Sequence, residues 1–243
     1  MSRVGAPLIG LVGGIAPAST VAYYQLLIDQ HRALHPESYP RLLINSIDLS
    51  EMLPMVGPDL TALTEFLVVE VQRLVNGGAT VAAFASNTPH LVFDAVCERI
   101  AIPMVSIVEA AAAEAERLGY RRLGLLGTRS TMQASFYRDV FARRGMTVVP
   151  PPAADLEYVH HVYFHELVNT TFKPETREGL LQVIERLRRS EQIDAAILGG
   201  TELSLILTPE VVAPVPLLDT ARIHVAALRI EAGRPRSAEP TPA

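Results

Sequence analysis

The sequence predicts an α/β fold made of two similar lobes, each a doubly wound parallel sheet, with a cleft between them. Short β-branched apolar runs alternate along the chain with longer segments of helical period. A weak internal repeat adds to this pattern, because LIGLVGG starts one series of strand and helix units and RRLGLLGT starts another. Such alternation implies parallel strands that are covered by helices on both faces.

The elements of the first half follow from the spacing of apolar residues. LIGLVGG, residues 8–14, predicts a buried strand that leads into a helix from about Pro17, where proline suits the first turn. A second strand is predicted at 41–49 and a third at 79–85. Apolar residues at helical spacing predict a helix between these two strands, which ends at Gly77-Gly78.

The second half continues the same alternation. The further predicted strands are IPMVSI, RRLGLLG, MTVVP, IDAAILG and APVPLLD. The helices between them are predicted near 107–118, 131–144, 155–168, 175–189 and 220–231.

These elements predict a division of the chain into two lobes and a tail. The first lobe is expected to comprise residues 1–106 together with a returning segment, 217–232. Residues 107–216 are expected to form the second lobe. The tail, 233–243, has little apolar surface to bury and is predicted to be disordered.

The composition narrows the class of protein and of partner. The 243 residues are 49% hydrophobic and 19% charged, with a formal net charge of −5, which fits a globular protein with a sizeable core. The acidic balance predicts no nucleic-acid partner, since phosphate binding needs concentrated positive charge, and favours a small-molecule partner. Cys97 is the only cysteine, so no internal disulfide is expected. With no membrane-spanning apolar segment evident, we expect a cytoplasmic protein with no membrane partner.

The ends of two strands carry matching groups of small polar residues. VAAFASNT, residues 81–88, has a counterpart in DAAILGGTE, residues 194–202. In open parallel sheets, ligands collect at the carboxyl ends of strands, where helix N-termini offer free N–H groups and partial positive charge. The pairing therefore predicts a carboxylate-bearing ligand between two facing lobes, although small residues at either end alone could simply permit a tight turn.

Motifs in the same order along most of the chain resemble those of the aspartate/glutamate racemase superfamily. They are IGLVGGIAPAST, NSIDLSEM, NGGATVAAFASNTPH, IPMVSIVEA, LGLLGTRSTMQASFY, ELVNTTFKPETR, AAILGGTELSLIL and LLDTARIH. The resemblance implies two α/β domains of related topology with an active site in the cleft between them. It also implies a homodimer and cofactor-independent proton chemistry at the α-carbon of a small carboxylate.

The chain departs from this family at the two positions expected to carry the catalytic thiols. Members typically have C-N-T at the end of the first strand and G-C-T-E at the second, whereas Ser86 and Gly200 stand here. Racemisation by two bases needs a group on each face of the α-carbon with a pKa near the working pH. A serine hydroxyl ionises far higher and glycine carries no group. The resemblance therefore implies the family scaffold without its two-thiol mechanism.

The remaining candidate residues match the family's positions or lie at predicted turns facing the cleft. The expected ligand-binding residues are Gly13, Asp48, Asn87, Thr88, Thr128, Thr131 and Thr201. Glu202 joins Ser86 and Gly200 as a candidate catalytic position. A carboxylate there more often orients other groups than acts as a base, although the small residue at 200 leaves it room to act. Asp48 could engage an ammonium group or a lysine, or it could simply cap a turn.

Two weaker patterns point to other chemistry, and one further residue, Cys97, needs an interpretation. Ser86 followed by His90 favours a nucleophilic serine, but G-x-S-x-G is missing. His161 and His165 have the i, i+4 spacing of metal ligands, but no third ligand is evident, so surface or interface histidines are favoured. Cys97 is predicted to be a packing residue.

Three functions consequently stay open from sequence. One is a racemase or isomerase of an amino acid or related small carboxylate. A second is a lyase, decarboxylase or cyclase acting on a different carboxylated substrate, because Gly200 frees volume in the cleft. The third is a non-catalytic carboxylate-binding protein.

Overall fold

The computed structural model describes residues 6–234, so most of the predicted tail, 233–243, lies outside the described residues. Seven strands form two separate parallel sheets. The strands are β1 (Leu8–Gly13), β2 (Arg41–Ser46), β3 (Val81–Phe84), β4 (Arg122–Gly127), β5 (Thr147–Val149), β6 (Ala195–Gly199) and β7 (Leu217–Asp219). This arrangement confirms the predicted α/β fold with two parallel-sheet lobes.

The first sheet has the order β2-β1-β3, with β1 in the centre. Its register pairs Gly13 with Ser46 and Val12 with Phe84, so all three strands end at the same edge. The predicted strand IPMVSI is shorter than expected. It contributes one isolated bridge, from Met104 to Ala82, because the chain turns into a helix three residues later, at Ile107.

The second sheet has the order β5-β4-β6-β7. Gly127 pairs with Gly199, so β4 and β6 also end side by side. Since Leu217 pairs with Ala196, β7 extends this second sheet.

Eleven α-helices among the described residues cover the two sheets. They are α1 (Pro17–Leu34), α2 (Leu49–Met52), α3 (Leu60–Asn76), α4 (Phe93–Cys97), α5 (Ile107–Arg117), α6 (Arg129–Gln133), α7 (Phe136–Ala142), α8 (Ala153–Val162), α9 (Pro174–Glu191), α10 (Leu203–Ile206) and α11 (Thr220–Ala232). Short 3₁₀ turns occupy Leu53–Met55 and Thr88–Val92.

Two predicted helices differ from the observed ones. The helix predicted at 131–144 is two helices, because Ala134 adopts an extended conformation with ψ of 160° and breaks the hydrogen-bond ladder. The helix predicted at 155–168 ends in a π-helical turn, Tyr163–Leu167. Such turns shift the direction of side chains and are frequent at functional sites.

Each lobe has its own hydrophobic core, and α11 returns to the first lobe. Val225 of α11 packs in the same cluster of buried residues as Leu11 and Tyr23. The helix also lies against α1 and α5. No helix in the described part of the chain combines the length and the apolar character needed to cross a bilayer.

Candidate functional site

A small cavity lies between the lobes, at the edge where the strands of both sheets end. Its volume is about 50 Å³. The polar residues that line it are Ser86, Thr88, Thr128, Ser130 and Tyr163. Ile15, Ala16, Met52 and Phe164 contribute to its apolar wall. Both lobes therefore supply hydroxyl groups to one shared space.

Ser86 lies two residues after the end of β3 and is 7% exposed, and it lines the cavity. Within the described residues no hydrogen bond joins the Ser86 hydroxyl to His90. The Nε2 atom of His90 instead accepts from the backbone N–H of Ile107 at 3.1 Å, and its ring stacks on Phe93. Burial lowers the pKa of His90 to about 3, so the imidazole is neutral at physiological pH. The arrangement does not provide the serine and histidine pair of a hydrolase.

Asn87 is buried beside Ser86, and only the oxygen of its side-chain amide is hydrogen-bonded. Its Oδ1 accepts a hydrogen bond of 2.6 Å from the hydroxyl of Tyr137, which lies on α7 of the other lobe. Its Nδ2 is buried without a hydrogen-bond partner among the described residues. An unpaired buried donor is costly, and groups of this kind occur where a ligand completes the hydrogen bonding.

The space beside Gly200 is filled by Tyr163. A Cβ atom placed on Gly200 would lie 2.8 Å from Tyr163 Oη and 2.9 Å from Cζ, and closer still to Cε2. Real Cβ atoms do not approach other atoms so closely. Tyr163 is the first residue of the π-helical turn and is itself 6% exposed. An aromatic ring from another element therefore occupies the position that a side chain at 200 would take.

Glu202 forms the centre of a buried hydrogen-bond network that joins the two lobes. Its carboxylate accepts from the hydroxyl of Tyr163 and from the hydroxyl of Ser19, which lies on α1 of the first lobe. Thr201 is 2.6 Å from Ser19 and donates to Glu202 at 3.3 Å. Glu202 is 1% exposed and makes no ion pair within the described residues.

Burial sets the protonation of this network. Desolvation raises the pKa of Glu202, and the hydrogen bonds from Ser19 and Tyr163 offset part of that rise. Desolvation and the neighbouring Glu202 raise the pKa of Tyr163 well above its ordinary value. Tyr163 therefore keeps its proton, and Glu202 is a stronger base than an exposed carboxylate.

The turn from β1 into α1 requires glycine and carries backbone strain. Gly14 has a φ of 84°, and a Cβ there would lie 2.7 Å from the backbone nitrogen of Ile47. A Cβ on Gly13 would lie 2.6 Å from the hydroxyl of Thr20, whose oxygen accepts from the N–H of Gly14 at 2.9 Å. Ala16, on the cavity wall, has a φ of 74°, which is unusual for a residue with a Cβ.

Several predicted ligand-binding residues are engaged in helix caps. The Thr128 hydroxyl accepts from the N–H of Thr131 at 3.2 Å at the start of α6, while Thr128 also lines the cavity. Asp48 is exposed and caps α2 by accepting from the N–H of Ser50 at 2.8 Å. The hydrogen bond from the Ser50 side chain lowers the pKa of Asp48. The geometry of Asp48 favours the turn-capping alternative over contact with a ligand.

The weaker sequence candidates lie outside the cavity. The rings of His161 and His165 are 4.3 Å apart on an exposed face. No cluster of three His, Cys, Asp or Glu side chains suited to a metal occurs between residues 6 and 234. Cys97 is half-buried on α4, and burial raises the pKa of its thiol to about 11.

Sequence reasoning missed three residues of the site: Ser19, Tyr137 and Tyr163. Ser19 lies within the motif IAPAST, but a single serine in a helix gives no sign of a partner in the other lobe. Gly200 did indicate freed volume, yet nothing in its own segment identified Tyr163 as the residue that fills this volume.

Comparison with known proteins agrees with the sequence motifs. The family model for Asp/Glu/hydantoin racemases matches residues 12–228. A broad specificity amino-acid racemase of Bacillus subtilis (strain 168) is 22% identical over 227 residues, which cover 88% of this chain and 93% of that protein. A glutamate racemase of Desulforudis audaxviator is 33% identical over 169 residues, which cover 65% of this chain and 58% of that protein.

A solved structure has the same fold over nearly the whole chain. The crystal structure of an aspartate racemase homologue from Pyrococcus horikoshii OT3 is 37% identical, with a TM-score of 0.80. The likeness covers 93% of this chain and 99% of that one.

Proposed function

The chain belongs to the Asp/Glu/hydantoin racemase family, and from this premise we propose that its interlobe cavity binds an amino acid or a related small carboxylate. We also propose that the chain does not interconvert enantiomers by the two-thiol mechanism. Binding and proton chemistry would need no cofactor.

The buried Nδ2 atom of Asn87 is the observation that carries the binding proposal. It is an unpaired donor beside Ser86 and Thr88, both of which line the cavity. A substrate carboxylate accepts hydrogen bonds from amide and hydroxyl donors, and such charge-assisted bonds are stronger than those between neutral groups. Thr128 and Ser130 contribute hydroxyls from the opposite lobe.

The proposed absence of two-thiol chemistry is supported by the residues at the two strand ends. Ser86 carries a hydroxyl with no hydrogen bond to a basic side chain among the described residues, and the place beside Gly200 is taken by the ring of Tyr163. Neither position can hold a thiolate. A hydroxyl on one wall and a phenol on the other favour proton transfer at one face of the α-carbon over transfer at both.

A lyase or decarboxylase is a second candidate, favoured by the phenol of Tyr163. A carbanion left after cleavage of a bond to carbon needs one proton from one face only. Tyr163 retains its proton because its pKa is raised. A racemase, by contrast, needs a proton-transferring group on each side of the α-carbon.

The proposal is tested by calorimetry and chiral chromatography on the wild-type protein. L- and D-aspartate and L- and D-glutamate are titrated one at a time, and each is also incubated with the protein for enantiomer analysis. We expect binding of at least one of them and no conversion to the other enantiomer. Failure of all four to bind would overturn the binding site, and conversion of either enantiomer would overturn the loss of two-base chemistry.

A further inference from the structure

We propose that Tyr163 is the catalytic residue of the second lobe and that, with Glu202 behind it, it exchanges the α-proton of a bound amino acid on one face only. The inference rests on the proposed function, because it assumes that the amino acid binds in the interlobe cavity. It adds a residue and a stereochemical course to that function.

Tyr163 is the link between the cavity and the buried carboxylate. Tyr163 lines the cavity, whereas Glu202 is not among the described residues that line it. The Tyr163 hydroxyl donates its hydrogen bond to Glu202 Oε2. In the proposed step a proton passes from the bound ligand to Glu202 through the phenol oxygen.

The ring of Tyr163 lies where a side chain on residue 200 would lie if that residue were not glycine. Atoms of its ring lie within 3.0 Å of the place where the Cβ of residue 200 would be. Gly200 and Ser86 are the equivalent strand-end residues of the two lobes, so the phenol approaches the ligand from the side opposite Ser86. In the second lobe, the ring of Tyr163 thus fills the space that Gly200 leaves empty.

The exchange step is balanced by a shift of two protons. The α C–H bond of the ligand breaks and its proton bonds to Tyr163 Oη, while the original phenol proton moves to Glu202 Oε2. The electron pair of the C–H bond passes into the ligand carboxylate, next to the free Nδ2 of Asn87. The reverse transfer returns a proton to the same face. In deuterated water the returned atom becomes deuterium once the Glu202 carboxyl has exchanged with solvent.

Among residues 6–234, the opposite wall of the cavity supplies no second base. Ser86 lacks a basic partner, and His90 is turned to the N–H of Ile107. A carbanion protonated only by Tyr163 regains its original configuration. We therefore expect exchange with retention, in contrast to the inversion that accompanies racemisation.

The pH dependence of exchange reports on Glu202, which is a positioning residue and proton acceptor acting through Tyr163. The groups that face it are the hydroxyls of Ser19, Thr201 and Tyr163. Burial raises the pKa of Tyr23 on α1, and the charges of Asp219, Tyr137 and Glu202 add to this rise. Lysine, arginine and histidine make no ion pair with it among residues 6–234. Exchange should rise with pH as Glu202 loses its proton, and the rise should lie above the usual carboxyl range.

The experiment measures deuterium incorporation at the α-carbon by NMR, with chiral chromatography on the same samples. The probes are the aspartate and glutamate enantiomers that calorimetry identifies as ligands. Wild-type protein is expected to incorporate deuterium without loss of configuration. Tyr163→Phe keeps the ring in place and removes the hydroxyl, and we expect it to slow exchange about a hundredfold or more while binding persists. Glu202→Gln should remove the rise with pH.

Tyr158→Phe is the matched control. Tyr158 lies on α8 and its hydroxyl packs over Gly179 much as Tyr163 packs beside Gly200, but it is absent from the cavity wall. This variant should exchange at the wild-type rate.

Each outcome decides between the two proposals. Binding without exchange in the wild type, or unchanged exchange in Tyr163→Phe, would overturn the role of Tyr163 and leave the binding site standing. Exchange with inversion would overturn the single-face course. Absence of binding of all four amino acids to the wild type would instead overturn the proposed function itself.

Discussion

After β3 one buried polar side chain keeps hydrogen-bonding capacity to spare, whereas after β6 the polar side chains bond to one another. Asn87 keeps a free buried Nδ2, and Ser86 lines the cavity. Thr201 and Glu202 are tied to Ser19 and Tyr163. The two lobes share a topology and a strand-end position, yet one end keeps an unpaired buried donor and the polar side chains of the other are already hydrogen-bonded.

This difference teaches that equivalent positions in a repeated fold do not keep equivalent roles. Gly200 has no side chain, and the ring of Tyr163 occupies the space where one would lie. Ser86 carries a side chain that itself lines the cavity. The group beside the second strand end therefore comes from a residue far away in sequence.

The largest expected effect tests whether the two strand ends differ in available space. Gly200→Cys should destabilise the protein by about 3 kcal/mol, because overpacking of a rigid, hydrogen-bonded ring costs about 1–3 kcal/mol and sometimes more. Ser86→Cys, its counterpart, should change stability by less than about 1 kcal/mol. Urea denaturation of both variants measures the difference. Adding Tyr163→Ala to Gly200→Cys should recover part of the loss, and equal costs at 86 and 200 would contradict the comparison.

The next effect tests whether the first strand end holds the ligand. Asn87→Ala should weaken binding by about 2 kcal/mol, roughly thirtyfold in dissociation constant, through loss of a charge-assisted hydrogen bond. Calorimetry with the amino acid that binds the wild type measures it. Tyr137→Phe is the control, because it removes the partner of Asn87 Oδ1 but leaves Nδ2 in place. Unchanged affinity in Asn87→Ala would place the ligand elsewhere.

A smaller effect tests whether burial of the Glu202 carboxylate, beside the second strand end, lowers stability when the group is charged. Burial raises the folded-state pKa of Glu202 above its unfolded value. Its contribution to stability is therefore present below the unfolded pKa and is lost as pH rises through the folded pKa. Glu202→Gln should remove this decline. Thermal unfolding across the acidic and neutral range gives the comparison, and an identical pH dependence in wild type and variant would show that Glu202 is not strained.

The smallest effect separates Asp48 from the site. Asp48→Ala removes the cap of α2 and should lower stability slightly, since the N–H of Ser50 loses its acceptor. Ligand affinity should not change, because the carboxylate is exposed and bonded to Ser50. Calorimetry and thermal unfolding on one preparation cover both expectations. A clear fall in affinity would restore Asp48 to the ligand site.

The sequence was a good guide to elements and to strand-end residues, because apolar period and glycine placement are local signals. It placed Ser86, Asn87 and Thr88 at the end of β3, where they lie. It was a poor guide to Tyr163, whose role comes from a tertiary contact with Gly200 and from a π-helical turn that periodicity does not reveal. The break between α6 and α7 was missed for a similar reason, since Ala134 is an ordinary helix former and only its extended backbone ends the helix.

The hydrogen bonds that cross between the lobes also bear on the speed of binding. Ser19 with Glu202, and Tyr137 with Asn87, must separate before the lobes can part to admit a ligand. We predict that association follows such an opening step, so its observed rate should level off at high ligand concentration and not increase in proportion to it. The time spent closed also lowers the apparent affinity by the fraction of molecules that are open. Residues that hold the lobes together would thus limit the rate of association. Ser19→Ala removes one of these hydrogen bonds, and stopped-flow measurements should show that its association levels off at a higher rate.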